Sequence, residues 1–467
     1  MITLRPYQQE RMIEPVRQAF RDGYKAPCLV APTGAGKTRT FAAMTEAAAA
    51  RGNRTCILAH RVELIEQIET ALGDLGIECD MVAAGFTRRD SPVMVASVQT
   101  LIRRLDRVKP PDFLIIDECH HAASDTYAKI IGAWSSARRL GVTATPMRLD
   151  GKGLATYFDT LVLGPTVADL TPEWLSPARV WAPPTISTEG LHTAMGDYVK
   201  SEAEAAANKP SITGDALSHY RRIADGKPGL IFCTSIKHAT EVAQYFREAG
   251  YSAVMLNGGM DRRLRRDALD DFRAGRIQLV TSCDIFVEGV DLPGCEVGII
   301  LRPTQSIALW RQMCGRVLRK SEGKECAYLI DHANNVAKFG RPCDEPEWAL
   351  TYDETKRKRK PQIQQKVCSK CWASNSMQAF VCRECGERFK AAPRSKIEQV
   401  DGELGEVTEA IRRDRVAKQI KSAHTLAELK DIAREQGYKP GWAEMRWAAK
   451  QAARERHMQE WRAAVKT

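Results

Sequence analysis

What the chain lacks narrows its class before any motif is weighed. No apolar run reaches the about 20 residues that a membrane-crossing helix needs, and the Ala-rich stretch 41–50 is interrupted by Thr45 and Glu46. The first residues, Met1-Ile2-Thr3-Leu4-Arg5-Pro6-Tyr7, contain no apolar signal core. A membrane role is therefore excluded and a cytoplasmic location expected. A disulfide framework is missing as well. Ten of the fourteen cysteines are scattered singly, with Cys28, Cys56 and Cys233 inside apparent strands, as suits small core residues in a reducing compartment. Nor is there an acidic excess. Net charge is +11, and from Asp353 to Thr467 there are 26 Lys and Arg against 16 Asp and Glu, so +10 of it lies in the last quarter. A polyanion partner is expected at that end.

The chain has an ordinary globular composition, 44% hydrophobic and 27% charged. At 467 residues it exceeds one core and implies two large domains plus something smaller.

Its organising stretch is Ala31-Pro32-Thr33-Gly34-Ala35-Gly36-Lys37-Thr38. Pro27-Cys28-Leu29-Val30 in front reads as a buried strand, and Thr38 to Ala50 behind reads as a helix. A loop between a strand and a helix N-terminus aims backbone N–H groups and the positive helix end at one anion. Gly34 and Gly36 let the backbone close around a phosphate, Lys37 adds charge, and the Thr38 hydroxyl can hold Mg²⁺. By itself the loop specifies a nucleoside triphosphate.

Upstream, Arg5 and Gln8 suit an adenine: a guanidinium plane stacks on the ring and an amide pairs with its N6/N7 edge. Read singly, Gln8 is an exposed helix residue; its position just upstream of the phosphate loop brings the adenine reading level with that one. Strands follow at Thr55–Ala59, ending in His60-Arg61, and at Val93–Ala96, ending in Ser97-Val98-Gln99-Thr100. Such strand ends form the ligand crevice of an open α/β sheet. Phe113-Leu114-Ile115-Ile116 then runs into Asp117-Glu118-Cys119-His120. Asp117 can hold the Mg²⁺ bound by Thr38, and Glu118 can orient the attacking water. Gly141-Val142-Thr143-Ala144-Thr145-Pro146 is a further strand ending in hydroxyls.

Prolines punctuate Leu149 to Lys227, where Asp197–Ala207 reads as a helix within a connector or small insertion. A second alternation begins with strand Leu230–Cys233 closing on Thr234-Ser235, followed by helix Ile236–Ala249, strand Ser252–Leu256 and helix Asp261–Ala274. Strands at Ile277–Thr281 and Val297–Leu301 follow, then a helix around Gln312-Met313-Cys314-Gly315-Arg316-Val317-Leu318-Arg319. No second phosphate loop is present, so this half meets a nucleotide from the other side. Arg316 and Arg319, three apart, share a helix face and can reach into a cleft between domains. An arginine supplied across such a cleft stabilises the departing phosphate, by roughly 10³–10⁵ in rate.

Arg5/Gln8, the phosphate loop, Asp-Glu-Cys-His at 117–120, Thr-Ala-Thr at 143–145, Glu288-Gly289-x-Asp291 and Gln312-x-x-Gly315-Arg316-x-x-Arg319 resemble, in order, the motifs of superfamily 2 helicases. The resemblance covers about Met1 to Asp331. It implies an α/β fold of two tandem RecA-like parallel-sheet domains, to which the clustered C-terminal cysteines and the stretch after them add a small zinc ribbon and an α-helical tail. It assigns Lys37, Thr38, Asp117, Glu118, Gln312, Arg316 and Arg319 to ATP hydrolysis. Pro32, Thr33, Gly34, Ala35 and Gly36 would cradle the phosphates, and Arg5, Gln8, Gly289 and Asp291 would touch adenine or ribose. His60, Arg61, Gln99, Thr100, Thr234, Ser235 and Thr281 would line a nucleic-acid path. Thr143-Ala-Thr-Pro-x-Arg148, nearby Gly151-Lys-Gly and Leu301-Arg-Pro-Thr304 look like the RadD-type repair helicases.

The run Lys356-Arg357-Lys358-Arg359-Lys360 marks a linker, either a solvated spacer or a grip on phosphates. Cys368-x-x-Cys371 and Cys382-x-x-Cys385, ten residues apart, offer four thiolates to a tetrahedral structural Zn²⁺, and Gly386 suits a knuckle turn. Trp372, Phe380 and Phe389 are expected as the small core of that ribbon rather than as base-stacking groups. From Val407 the chain reads as helical and basic, broken at 437–441. Its Trp442, Trp447 and Trp461, among Arg446, Arg454, Arg456 and Arg462, suit a DNA-binding or a protein-docking module equally.

The expected division is motor domain 1 at 1–150, connector 151–227, motor domain 2 at 228–345, basic linker 346–366, zinc ribbon 367–390 and helical module 391–467. The expected activity is a monomeric ATP- and Mg²⁺-dependent DNA helicase. The alternatives are a translocase or annealing motor, an RNA helicase, and a nucleotide-gated clamp without turnover.

Overall fold

The computed structural model describes residues 4–60, 62–83, 91–122, 124–147, 153–182, 191–194, 197–208, 210–283, 292, 294–351, 365–376, 378–389, 420, 423 and 425–451. The first sheet has seven strands: β1 (Pro27–Val30), β2 (Thr55–Ala59), β3 (Asp80–Val82), β4 (Val93–Ser97), β5 (Phe113–Asp117), β6 (Arg138–Thr143) and β7 (Thr160–Leu163). Their order is β3-β4-β2-β5-β6-β1-β7, and every pairing is parallel. Every residue of β1 to β5 is buried. A parallel sheet covered on both faces requires near-continuous apolar strands, which is why these runs show no alternation in the sequence.

The strands that carry the phosphate loop (β1) and the paired acids (β5) are separated by β6 alone. Gly141 on β6 keeps that region tight. A Cβ there would lie 2.5 Å from the Phe158 ring and 2.9 Å from the Cys119 sulfur. Its absence lets the Cys28 and Cys119 sulfurs approach to 3.5 Å.

The second sheet contains β8 (Ala178–Trp181), β11 (Gly229–Phe232), β12 (Ala253–Leu256), β13 (Leu279–Ser282), β14 (Val297–Ile300) and β15 (Ala327–Asp331), while β9 (Thr193–Ala194) and β10 (Asp197–Tyr198) form a separate antiparallel pair. Its order, β12-β13-β11-β14-β15-β8, is again all parallel. Segment 151–227, expected as a connector, thus gives an edge strand to each sheet, β7 beside β1 and β8 beside β15. Four-residue strands between prolines carry too little pattern to be read locally.

Asp197–Ala207, expected as one helix, is helical only over Lys200–Ala207. Asp197 stays extended because its carboxylate accepts from the Gln305 N–H at 2.6 Å and the Thr304 hydroxyl at 3.0 Å. One apolar cluster, from Leu29 and Phe41 through Val167 and Leu175 to Trp310 and Leu329, joins the two lobes.

The four-cysteine module follows, with β16 (Gln365–Val367) antiparallel to β17 (Ser374–Ser376). It docks on the edge of the second sheet. Trp181 bridges to Ala373, the Ala182 N–H donates to the Trp372 carbonyl at 3.0 Å, and Arg383 donates to the Ala178 carbonyl at 3.0 Å. Trp181 also stacks on Tyr328, 8° from parallel. An exposed β8 edge is thereby covered. Phe389 packs into this core, but Phe380 is 85% exposed, which corrects the expectation that it is a core residue. The cysteine knuckles bury Cys368 and Cys382 in one cluster with Trp181 and Ala373.

Residues 390–467 form a separate compact unit. Its helix Leu426–Gln436 begins at Thr425, whose side chain accepts from the Glu428 N–H, and stops at Gly437, in the left-handed conformation. Trp442 and Trp447 pack with Ala423, Leu429 and Ala443, and the Tyr438 ring lies 4.4 Å from that of Trp442. These two tryptophans are packing. Trp461, Arg454, Arg456, Arg462 and the basic run 356–360 lie outside the described residues. Among the described residues no helix is long and apolar enough to cross a membrane.

Candidate active site

The phosphate loop leaves β1 and turns into the helix Lys37–Ala49. Gly34 and Gly36 take φ of 92° and 76°, a region that side chains disfavour. Gly36 is needed for a second reason: a Cβ there would meet the Gln8 amide nitrogen at 2.3 Å. Gln8 is 1% exposed, so the exposed-helix reading of it is excluded. Its amide donates to the carbonyls of Ala35 (3.3 Å) and Gly36 (3.2 Å), while Tyr7 donates to Ala35 at 3.0 Å. The residues before β1 therefore brace the loop from behind. Arg5 lies over the Trp174 ring at 4.5 Å, a partner supplied by the connector.

Lys37 is buried, and its ammonium donates to the carbonyls of Ala31 (3.2 Å) and Pro32 (3.4 Å). Burial pushes its pKa down, Glu118 and Asp117 pull it up, and Arg316 and Arg319 push it down again. Groups from both lobes thus act on one ammonium. Asp117 ends β5 and is buried, and its carboxylate accepts from the Glu118 N–H at 3.0 Å. Glu118 itself sits at φ 46°, a strained conformation for a residue with a side chain. The hydroxyl and carboxylate oxygens of Thr38 and Asp117 are hard donors of the kind that suits Mg²⁺.

The opposing wall is the helix Ile307–Val317, in which Gln312 and Arg316 are buried. At Gly315 the lobes nearly touch: a Cβ would stand 2.4 Å from Thr33 Cβ. Arg319 passes over the loop, its Cγ 3.6 Å from where a Gly34 Cβ would be, and burial holds its pKa down to about 10. It remains a cation at neutral pH. The backbone beyond this helix is fixed by the connector. Leu175 bridges to Arg319, the Ser176 N–H donates to Leu318 at 2.8 Å, and Lys320 donates to the Pro172 carbonyl at 2.9 Å.

The residues expected on a nucleic-acid path divide into two groups. His60, Gln99 and Thr100 gather at the neighbouring ends of β2 and β4, where Gln99 is exposed and donates to the His60 carbonyl at 3.3 Å. In the second lobe the side chains turn inward. Thr281 donates to the Ala239 carbonyl at 2.7 Å, Thr234 meets His238 Nδ1 at 2.9 Å, and the Ser235 hydroxyl donates to Glu204 at 2.7 Å. Arg61, Gly289 and Asp291 lie outside the described residues. Sequence reasoning missed Tyr7, Trp174 and Leu175, and only the pairing of Tyr7 with Gln8 upstream of the loop offered a signal.

The ligand atoms of Cys368, Cys371, Cys382 and Cys385 all lie within 4.8 Å of one another. Gly386, at φ 71°, donates its N–H to the Cys382 carbonyl at 2.9 Å, and the Trp372 N–H donates to Cys368 at 2.9 Å. Four soft sulfur donors held by two such turns fit a tetrahedral metal.

A phosphate loop in one parallel-sheet lobe, faced by a buried Arg316 and a half-buried Arg319 from another that has no such loop, defines a two-lobed nucleoside triphosphatase. Residues 1–148 match the family described as "Type III restriction enzyme, res subunit", and residues 209–321 match "Helicase conserved C-terminal domain". The chain is 31% identical to the 51.5 kDa protein of a Lactococcus phage over 84% of this chain and 83% of that one. It is also 31% identical, over 76% of its length, to a fission-yeast protein named as the mitochondrial ATP-dependent helicase irc3, of which it spans 61%. A fragment of the HsdR subunit of a type I restriction enzyme from Vibrio vulnificus has the same fold, with a TM-score of 0.59 and 22% identity over 73% of this chain and 66% of that one. The chain belongs to the superfamily 2 DEAD/DEAH-like helicases and is an enzyme of the nucleic-acid-dependent ATPase class.

Proposed function

We propose that this chain is a DNA motor in which one ATP, held between the two lobes, drives translocation along or unwinding of DNA. The observation that carries the reading is the approach of Arg319 and Gly315 to the phosphate loop. Lys37 and the loop N–H groups bind the phosphates, Glu118 orients the attacking water, and Gln312, Arg316 and Arg319 stabilise charge on the departing phosphate. Mg²⁺ held by Thr38 and Asp117 would neutralise that charge further. Because both halves of the site lie on one chain, the motor works as a monomer. Closure on ATP and opening after hydrolysis convert the chemistry into a stroke between lobes.

His60, Gln99 and Thr100 offer the nucleic-acid contact in the first lobe. Thr234 and Ser235 would join it by exchanging their internal partners, Glu204 among them, for phosphates. Zn²⁺ on the four cysteines would hold the module that covers β8. The RadD-like stretches at 143–148 and 301–304 favour a repair setting, and the 390–467 unit offers a surface for DNA or a protein partner.

The test is ATP turnover with single-stranded, duplex and forked DNA and with RNA, at several salt concentrations, beside a strand-displacement assay. Stimulation by DNA with displacement supports the helicase reading. Stimulation without displacement leaves a translocase, and preference for RNA overturns the DNA assignment. Glu118→Gln should retain ATP binding and lose turnover. Unchanged turnover would remove Glu118 from its role.

A further inference from the structure

Three histidine rings form a contiguous line from the surface of the first lobe to Glu118. The innermost, His120, is buried, with Nδ1 3.1 Å from the Thr143 hydroxyl and 3.4 Å from the Glu118 carboxylate. Thr143 is fixed in turn, donating to the Thr145 carbonyl at 3.0 Å and accepting from the Thr145 N–H at 3.1 Å. The His121 ring packs 4.2 Å from that of His120, and the His60 ring packs 4.5 Å from that of His121. His60 closes β2, and its carbonyl accepts from Gln99, whose own carbonyl oxygen accepts from Ser97 at 2.8 Å. Exposure rises along this line: His120 is buried, His121 and His60 are half-buried, and Gln99 is exposed. The sequence places His120 and His121 side by side and leaves His60 about sixty residues away. Only the adjacency of β2 and β5 brings them together.

We propose that His121 is a positioning residue that ties the first-lobe nucleic-acid contact to the geometry of Glu118. This rests on the functional reading above, in which nucleic acid seats on His60 and Gln99 and Glu118 orients water. A ligand that engages Gln99 changes its hold on the His60 carbonyl. The His60 ring cannot shift without displacing the His121 ring, and that ring abuts His120. Close-packed interiors answer such displacements by moving as a unit. The line ends at Glu118, whose backbone is held in the strained left-handed region at φ 46°. The Cys119–His121 turn that follows Glu118 carries both inner rings, so a small rotation of that turn re-aims the carboxylate. Nucleic acid then raises turnover by completing an arrangement that the free enzyme holds only part of the time.

The experiment uses the full chain and three variants: His121→Ala, which removes the ring; His121→Phe, which keeps an aromatic face; and His121→Leu, which keeps bulk without one. ATP turnover is measured with and without saturating single-stranded DNA, beside DNA affinity by anisotropy and thermal unfolding. For His121→Ala we expect unchanged basal turnover and DNA affinity, with DNA-stimulated kcat lowered about tenfold, a coupling of ordinary size. His121→Phe should restore most of the stimulation, and a ring that served only to fill space would be replaced equally well by leucine. Full stimulation in His121→Ala overturns the proposal, as does equal rescue by phenylalanine and leucine. Should the alanine variant unfold, the phenylalanine–leucine comparison decides alone. Wild-type turnover that ignores all nucleic acids overturns the functional reading and this inference together, whereas normal stimulation of wild type and variant alike overturns this inference only.

Discussion

At the scale of single residues, the seam between the lobes is set by groups with no room to change. Gly315 is the clearest. An alanine there would press its Cβ to 2.4 Å from Thr33, so the helix must withdraw from the phosphate loop or the loop must give way. Gly315→Ala should cost about 1–3 kcal/mol of stability, as overpacking generally does, and should lower ATP turnover, both readable by thermal unfolding and a steady-state assay. Arg319 is constrained differently, since its contribution is charge brought across the seam. Arg319→Ala should reduce kcat by about 10³ while changing ATP affinity far less. Equal losses in binding and turnover would mean that Arg319 anchors ground-state ATP instead.

At the scale of elements, the helix Ile307–Val317 carries Arg316, while Arg319 lies just past its end rather than on the shared helix face that the spacing predicts, and that end is held by a buried lysine that no motif marks. Lys324 donates to the carbonyls of Cys295 (2.7 Å) and Arg319 (2.8 Å), and also to that of Val317. It thereby satisfies helix-end acceptors that would otherwise be buried without donors. Burial pushes its pKa down to about 8. Lys324→Met should cost about 1–3 kcal/mol, from buried carbonyls left without a donor, and should lower turnover by loosening Arg316 and Arg319. The pH dependence has a definite sign. The unfolded chain holds this proton up to the ordinary value of 10.5 and the folded chain releases it near 8, so between them the unfolded state binds more protons. The contribution of Lys324 to stability therefore rises with pH across that interval. Wild type should gain on the methionine variant between pH 8 and pH 10, as melting curves at both values would show.

At the scale of the whole molecule, the four-cysteine module bears on the second lobe through the β8 edge, where Trp181, Ala182 and Ala178 meet Ala373, Trp372 and Arg383. If metal holds the knuckles together, its removal exposes that edge. Chelation, or Cys368→Ser, should lower the melting temperature by several degrees, metal binding and folding being coupled. Hydrogen exchange should quicken first in β8 and β15. Lost DNA affinity with unchanged exchange would make the module a nucleic-acid reader instead, with exposed Phe380 as its natural contact.

The legible parts of this protein were those whose cause is local. A phosphate loop is one strand, one turn and one helix in succession, so Ala31 to Thr38 carry their whole geometry in order. The buried strands announce themselves because parallel sheets demand unbroken apolar runs. The edge strands β7 and β8 were not legible, since four residues between prolines hold no pattern until a neighbouring strand supplies the hydrogen bonds. The same holds for Trp174 beneath Arg5, Lys324 behind the arginine helix and His60 against His121. Sequence by itself determined the two parallel-sheet lobes, the loop, the paired acids and the cysteine knuckles. Tertiary structure alone decided which residues brace them, because a packing contact depends on distance in space and leaves no periodicity along the chain.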